Sequence, residues 1–460
     1  MNIYFKSIYR PIFFLTAFPL LLLAQWSATT IRVGDYPRVL VWNEIENKIY
    51  CANELSDNIT VVDGVTDSVS KLISAGNSPY GLVLNTINNK LYCSNWLSNN
   101  ITVIDCSLDS VIHNISTGGE PCALVWNSIN NKIYCSNWQG YNITVINGAT
   151  DAVITTIGSS TPSSTLAWNS INNKIYCTRD WQYEIKVINS ITDSTSNIFQ
   201  VGYNPCALFW NSINNKVYCA NGGDTYVTVF DGATDAIITT IPVNHFPCTF
   251  ACDTVNNKIY CVNKFSDNIT VINSNTDSVI TNIPVGSEPC ALIWNPQSNK
   301  IYCANRINDN VTVINCLNDS TITTIPVGDS PYTFTYNSLQ NKIYIANLFG
   351  SSISIIQDNE DLIRISSTDK KCCKLKANPN PFYHSTSISY NLTKSCFVEL
   401  KVFNGIGQQV KTLMNAFQNA GLYHTQWLGN DDNNRLLPNG IYIVCINTDN
   451  IKSTTKIVKF

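Results

Sequence analysis

The sequence predicts an all-β chain: an eight-bladed β-propeller, with seven blades as the fallback, followed by a small β-sandwich. Two observations carry this reading. The pattern Asn-Lys-Ile/Leu/Val-Tyr occurs eight times, and its tyrosines Tyr50, Tyr92, Tyr134, Tyr176, Tyr218, Tyr260, Tyr302 and Tyr344 are each 42 residues apart. A fixed period of roughly 40 to 45 residues is the size of one four-stranded blade. Beyond residue 367 the period stops, and short alternating strands separated by turn residues follow. No insertion interrupts the seven intervals, so no unit carries the kind of enlarged loop that usually houses chemistry.

The unit from Pro121 to Ile157 shows how each strand arises. Pro121 to Trp126 and Lys132 to Asn137 are apolar runs flanking an Asn-rich connection, which is a hairpin signal. Asn142 to Asn147 alternates apolar and polar residues as a strand does, Gly148 to Asp151 turns the chain, and Ala152 to Ile157 makes a fourth strand. Each sheet is apolar on both sides, so only radial stacking hides its faces. A Gly-x-x-Pro-like join precedes each unit at Gly34, Gly76, Gly118, a degraded Ser160, Gly202, Asn244, Gly286 and Gly328. The extra strand Thr29 to Val33 is expected to complete the last blade and close the ring, with Leu362 to Ser366 ending the eighth copy. Trp42, Trp126, Trp168, Trp210, Trp294 and Tyr336 follow the same period, with Leu84 and Cys252 in two copies. A position open to Trp, Leu, Cys and Tyr reads as packing between blades, not as a ligand ladder.

Cysteine occurs 18 times. Seven cysteines follow the repeat tyrosine (Cys51, Cys93, Cys135, Cys177, Cys219, Cys261 and Cys303), and Ile345 stands there in the eighth copy, so the site wants a modest apolar group. Four more stand 13 residues ahead of a repeat cysteine, giving Cys122/Cys135, Cys206/Cys219, Cys248/Cys261 and Cys290/Cys303. If each pair straddles a hairpin, the two residues come within disulfide reach, but Cys51, Cys93 and Cys177 have Arg38, Tyr80 and Ser164 at the partner position, so buried free thiols are the favoured reading and disulfides the alternative. No Cys-x-x-Cys occurs and the four histidines are scattered, so neither metal nor cofactor is expected.

A hydrophobic share of 44% supplies the cores, while charged residues reach only 13%, about half of the usual ~25%. Net charge is -3 and there is no basic run, so nucleic acid is not an expected partner. At the N-terminus, Lys6 and Arg10 precede the apolar run Ile12 to Leu23, and Ala24 closes it. This fits a signal peptide over 1–24, with a retained membrane anchor as the alternative; no membrane span is expected in the mature chain.

The Tyr50-Cys51-Ala52-Asn53, Tyr92-Cys93-Ser94-Asn95 and Tyr260-Cys261-Val262-Asn263 segments resemble the Tyr-Val-Thr-Asn signature of YVTN β-propeller repeats, which occur in surface-layer and exported proteins. The later Asn-Ile-Thr-Val-Ile and Ile-Pro-Val-Gly elements match in order over about residues 29–367, with Cys in place of Val as the chief departure. Residues 368–377 form a polar linker. In 378–460, the Asn378-Pro379-Asn380-Pro381-Phe382 opening, the Val398 to Phe403 strand, Gly407, Trp427-Leu428-Gly429 and Gly440-Ile441-Tyr442 resemble the Ig-like C-terminal sorting domain of type IX secretion cargo. That resemblance implies a secreted or cell-surface protein whose tail engages the secretion machinery; a plain Ig-like interaction domain is the alternative.

The loops after the Tyr-Cys-x-Asn strand carry Trp96, Trp138, Trp181, Phe265, Arg306 and Phe349 at nearly matching positions, and the joins add Tyr203 and His245. Both sets are expected on one rim, because alternate strand connections emerge on the same side. Exposed aromatic rings there suit a glycan or protein ligand; the alternative is that they roof neighbouring blades. The favoured function is therefore a non-catalytic binding scaffold. The competing reading is a propeller hydrolase, lyase or metal-dependent lactonase, for which Asp35, Glu120, His245, Glu288 and Asp329 are the candidate ligands.

Overall fold

The computed structural model describes residues 28–358 and 375–460, apart from 393–394, 405–407, 420 and 449–450. The expected signal peptide over 1–24, Leu362 to Ser366, Gly407 and most of the linker lie outside the described residues. The chain divides into two compact units, Met1–Glu360 and Asp361–Phe460.

In the first unit, β1 (Ala28–Arg32) precedes β2 (Pro37–Asn43), β3 (Lys48–Asn53), β4 (Asn58–Asp63) and β5 (Val69–Ser74). The last four pair antiparallel in chain order, and the plan repeats to give eight four-stranded sheets. The eighth takes β1 as its outer strand, beside Ser352–Gln357, with Ala28 facing Ile356 and Ile31 facing Ile353. Its four places are thereby filled, with the leading strand as the fourth. First strands of successive sheets pack side by side, and the first sheet's β2 packs against Pro331–Asn337 of the eighth. The eight sheets therefore follow one another in a closed circuit, as in a propeller.

Residue chemistry explains each piece. In β3 every residue from Ile49 to Asn53 is buried, because both faces of the sheet meet a neighbouring sheet. The strand β5, on the outer edge, is mostly exposed. Asn43 Oδ1 accepts the backbone N–H of Ile45 at 2.9 Å, and Asn47 at the end of the turn has φ 49°, a left-handed conformation that asparagine tolerates. Gly34 is required because a Cβ there would lie 2.7 Å from the Asn53 side chain. That asparagine in turn donates to Asn58 at 2.7 Å and to Thr60 at 2.8 Å. Trp42 and its counterparts are half-buried between sheets, and the Trp42 indole donates to Asn47 at 3.2 Å.

A latch crosses every seam. Lys48 Nζ and the Tyr50 hydroxyl both reach Asp109 of the next sheet, each at 2.7 Å. Lys342 and Tyr344 of the eighth sheet grip Asp67 of the first at 2.7 and 2.6 Å, closing the circuit.

The alternative of hairpin disulfides is not realised. Cys122, Cys135, Cys206, Cys219, Cys248, Cys261, Cys290 and Cys303 are all free thiols. Proline opens the first strand with no N–H for the ladder. The register shifts just after it, so Cys135 faces Leu124, Cys219 faces Leu208, Cys261 faces Phe250 and Cys303 faces Leu292. The thiols of Cys206 and Cys290 instead lie 3.2 and 3.3 Å from the carbonyl oxygens of Pro247 and Pro331 in the following sheets.

The second unit is a β-sandwich. One sheet has Lys376–Asn378, Thr386–Leu392 and Gly421–Trp427; the other has Gln409–Gln418, Cys396–Asn404, Gly440–Thr448 and Ile451–Lys459. Phe382, Ile388, Tyr390, Val398, Leu400, Trp427, Val444 and Ile457 fill the space between them. His424 is a strand residue opposite Ser389.

Candidate functional site

The sheets present two loop sets on one rim: the connection from second to third strand, and the join into the next first strand. Backbone bonds tie them together, as in Glu54 N to Tyr36 O at 3.0 Å and Trp96 N to Ser78 O at 2.8 Å. Rings from the two sets touch: Tyr36 with Phe349 at 5.7 Å, Tyr183 with Tyr203 at 5.0 Å, and His245 with Phe265 at 6.0 Å between centroids.

The structure separates the matching loop residues into two adjacent positions with different surroundings. Trp96, Trp138 and Arg306 directly follow the repeat asparagine and are half-buried. Trp181, Phe265 and Phe349 stand one residue later, at the loop tip, and are 66%, 55% and 58% exposed. Tyr203 and His245 are also exposed.

The half-buried position faces the second residue of the first strand, and together they make a continuous arc. The Arg38 guanidinium lies 3.6 Å over the Tyr80 ring and 5.7 Å from that of Tyr332, while donating to Glu54 at 2.8 Å. Tyr80 packs on Trp96 at 4.8 Å, Trp96 on Trp138 at 5.8 Å, and the Trp138 indole donates to Asp180 at 3.1 Å. Ser164 and Thr178 hydroxyls also donate to Asp180, at 2.9 and 3.2 Å. Burial raises the Asp180 carboxyl above the ordinary carboxylate range, and these hydrogen bonds oppose the rise. Trp96 and Trp138 thus roof neighbouring sheets, whereas the tip residues stay largely exposed, even where Phe265 touches Phe246 and Phe349 touches Tyr36.

Further round the rim, Gly222 and Gly223 replace both loop positions, and a Cβ on Gly223 would meet the Tyr203 ring at 2.2 Å. Arg306 is engaged by Glu288 at 3.2 Å, with Lys264 3.8 Å from the same oxygen. Asp35 accepts from the Ser351 hydroxyl at 2.9 Å. Glu120 and Asp329 stand in the joins. Among the described residues, no group of three His, Cys, Asp or Glu side chains is placed to hold a metal ion.

Reading one unit at a time missed the fourth sheet. Where the other sheets carry Asn, mostly Asn, and Thr or Ser, it has Arg179, Glu184 and Lys186. Arg179 pairs with Glu184 and also donates to Ser160 and, at 3.0 Å, to Thr161. Superposing the eight copies column by column is the signal that finds it.

Residues 376–459 match the family model described as the secretion system C-terminal sorting domain. The tail is a type IX sorting domain. It marks the chain as exported, to the cell surface or beyond, and engages the secretion machinery. No curated protein matches the sequence. Among solved structures, a chain of Kuenenia stuttgartiensis hydrazine synthase aligns with a TM-score of 0.51 and 14% identity, covering 72% of this chain and 98% of that one. That likeness speaks for the repeated-sheet fold alone. No helix among the described residues is long and apolar enough to cross a membrane.

Proposed function

We propose that residues 28–358 form an eight-bladed propeller of the YVTN repeat kind, led out by a signal peptide over 1–24 and delivered by the sorting tail as a non-catalytic binding scaffold. The ligand, a glycan or a protein, is held by the rim. The observation that carries this is the outward display of Trp181, Phe265 and Phe349 at loop tips where the fold needs no aromatic group, since Gln139 and Gly223 occupy the same position elsewhere. Exposed rings contribute stacking area that pays off only when a partner covers them. The candidate metal ligands favour the same reading, because Glu288 and Asp35 are already committed to neighbours.

The test is a glycan array and pulldown with the full chain, comparing Trp96/Trp138/Trp181→Ala with Trp181/Phe265/Phe349→Ala. The tip variant is expected to keep its thermal midpoint and bind at least about tenfold more weakly, the equivalent of ~1.4 kcal/mol. The first variant is expected to lose stability as well. Unchanged binding by the tip variant removes the rim from the proposal.

A further inference from the structure

Lys186 is the unusual cation of this chain. Each of the eight repeat lysines, from Lys48 to Lys342, is matched by an aspartate: Lys48 with Asp109, Lys132 with Asp193, Lys258 with Asp319, and so on round the circuit. Lys186 is only 4% exposed, and no carboxylate pairs with it among the described residues. Its ammonium donates to the carbonyl oxygen of Gly158, and it faces Cys177 across the strand pair. Arg179, close by, is held by Glu184, so that carboxylate is already taken. A buried charge without a counterion is expensive, and a fold that keeps one is short of an anion.

The location is a seam that repeats round the ring. Before the first and seventh sheets the same seam forms shallow grooves of about 280 and 300 Å³, walled by Gly34, Asn58 and Thr60 in one and by Gly286, Asn310 and Thr312 in the other. Before the fourth sheet these positions are Ser160, Glu184 and Lys186. In this seam Gly158 is exposed, and a Cβ built there meets no atom within 4 Å. The next residue, Ser159, has a buried hydroxyl with no hydrogen-bond partner. Burial also lowers the Lys186 ammonium below the ordinary lysine value, although the Cys177 thiol works against the shift.

We propose that the seam between the third and fourth sheets binds a small oxyanion, a carboxylate or phosphate group, through the Lys186 ammonium and the Ser159 hydroxyl. The other seven seams serve as internal controls, since each carries neutral Thr or Ser where Lys186 stands. The site is separate from the aromatic rim and does not depend on the rim's role.

The experiment is isothermal titration calorimetry of the full chain with inorganic phosphate and with acetate, at constant ionic strength set by chloride. Two charge-assisted hydrogen bonds predict a Kd on the order of 1 mM. Lys186→Thr, which restores the repeat residue, is expected to fold with an equal or higher thermal midpoint and to lose saturable binding; Ser159→Ala should weaken binding several-fold. Lys186→Met, keeping the apolar stem, serves should the threonine variant fail to fold. Response to phosphate alone assigns phosphoryl groups, and response to both anions assigns carboxylates as well. Absence of saturation with either anion, or undiminished binding by the charge-free variants, overturns the proposal.

Discussion

Asp358 is held by three side chains: Lys300 and Ser298 both reach it, and Asn295 donates to it at 2.6 Å. Its ion pair with Lys300 is the deepest of the series, with side chains 1% and 0% exposed, against 19% and 12% for Lys48 and Asp109. Depth decides what a charge deletion does. With the carboxylate gone from a dry site, the ammonium left behind has no water to turn to, whereas Lys48 can rehydrate. Asp358→Asn is therefore expected to destabilise by about 3 kcal/mol, and Asp109→Asn by about 1 kcal/mol, in urea titrations of the two variants. Equal losses would mean that the latch works by shape and not by charge.

At the scale of the strand, the second strand of each sheet was the most legible part of the chain. Its Tyr-Cys-x-Asn core recurs in six of the eight copies, with Arg179 and Ile345 as the departures, and period alone placed it and its hairpin partner. What period could not show was the slip after the opening proline, which is a backbone event and turns Cys122 away from Cys135. Nor could it show the latch, because Tyr50 and Asp109 lie 59 residues apart and meet only when sheets stack. The rim residues were found but grouped one position too coarsely, since sequence spacing does not say which of two neighbouring loop residues turns inward. The thiols of this strand carry a pH dependence. Cys51 and its counterparts are fully buried, and burial raises every one of them above the ordinary 9.0; in the hairpins, Cys106 is pushed up to about 11 and Cys316 to about 12. A thiol that cannot ionise in the folded chain but can in the unfolded one stabilises fully below pH 9, and that stability drains away as pH climbs toward the folded value. Each buried thiol should withdraw about 1.4 kcal/mol by pH 10. The thermal midpoint is expected to stay level from about pH 6 to 8 and then fall steeply above about 9. Replacing Cys51, Cys93 and Cys135 by valine should flatten the fall, and an unaltered slope would assign it to other groups.

The whole ring depends on a junction between sequence-distant pieces. β1 supplies the outer strand of the eighth sheet, while Ile31 and Val33 enter the cluster of Ile49, Val62, Tyr344 and Ile353 that joins the eighth sheet to the first. Every other sheet is made from one continuous stretch, so this is where local folding gives way to closure across more than 300 residues, as in the Ala28–Ile356 pairing. Deleting residues 28–33 removes two apolar side chains worth about 1.5 to 3 kcal/mol each and uncovers the edge of Ser352–Gln357. The loss should be local first. Hydrogen exchange in Pro331–Gln357 and in β2 is expected to accelerate well before that of the sheets on the far side of the circuit. Moving the same six residues to follow residue 358 through a short linker should restore protection, because the strand can reach its place from either end. Uniform acceleration round the ring would instead show that the eight sheets open as one cooperative unit, and unchanged exchange in Pro331–Gln357 would show that the clasp contributes nothing to closure.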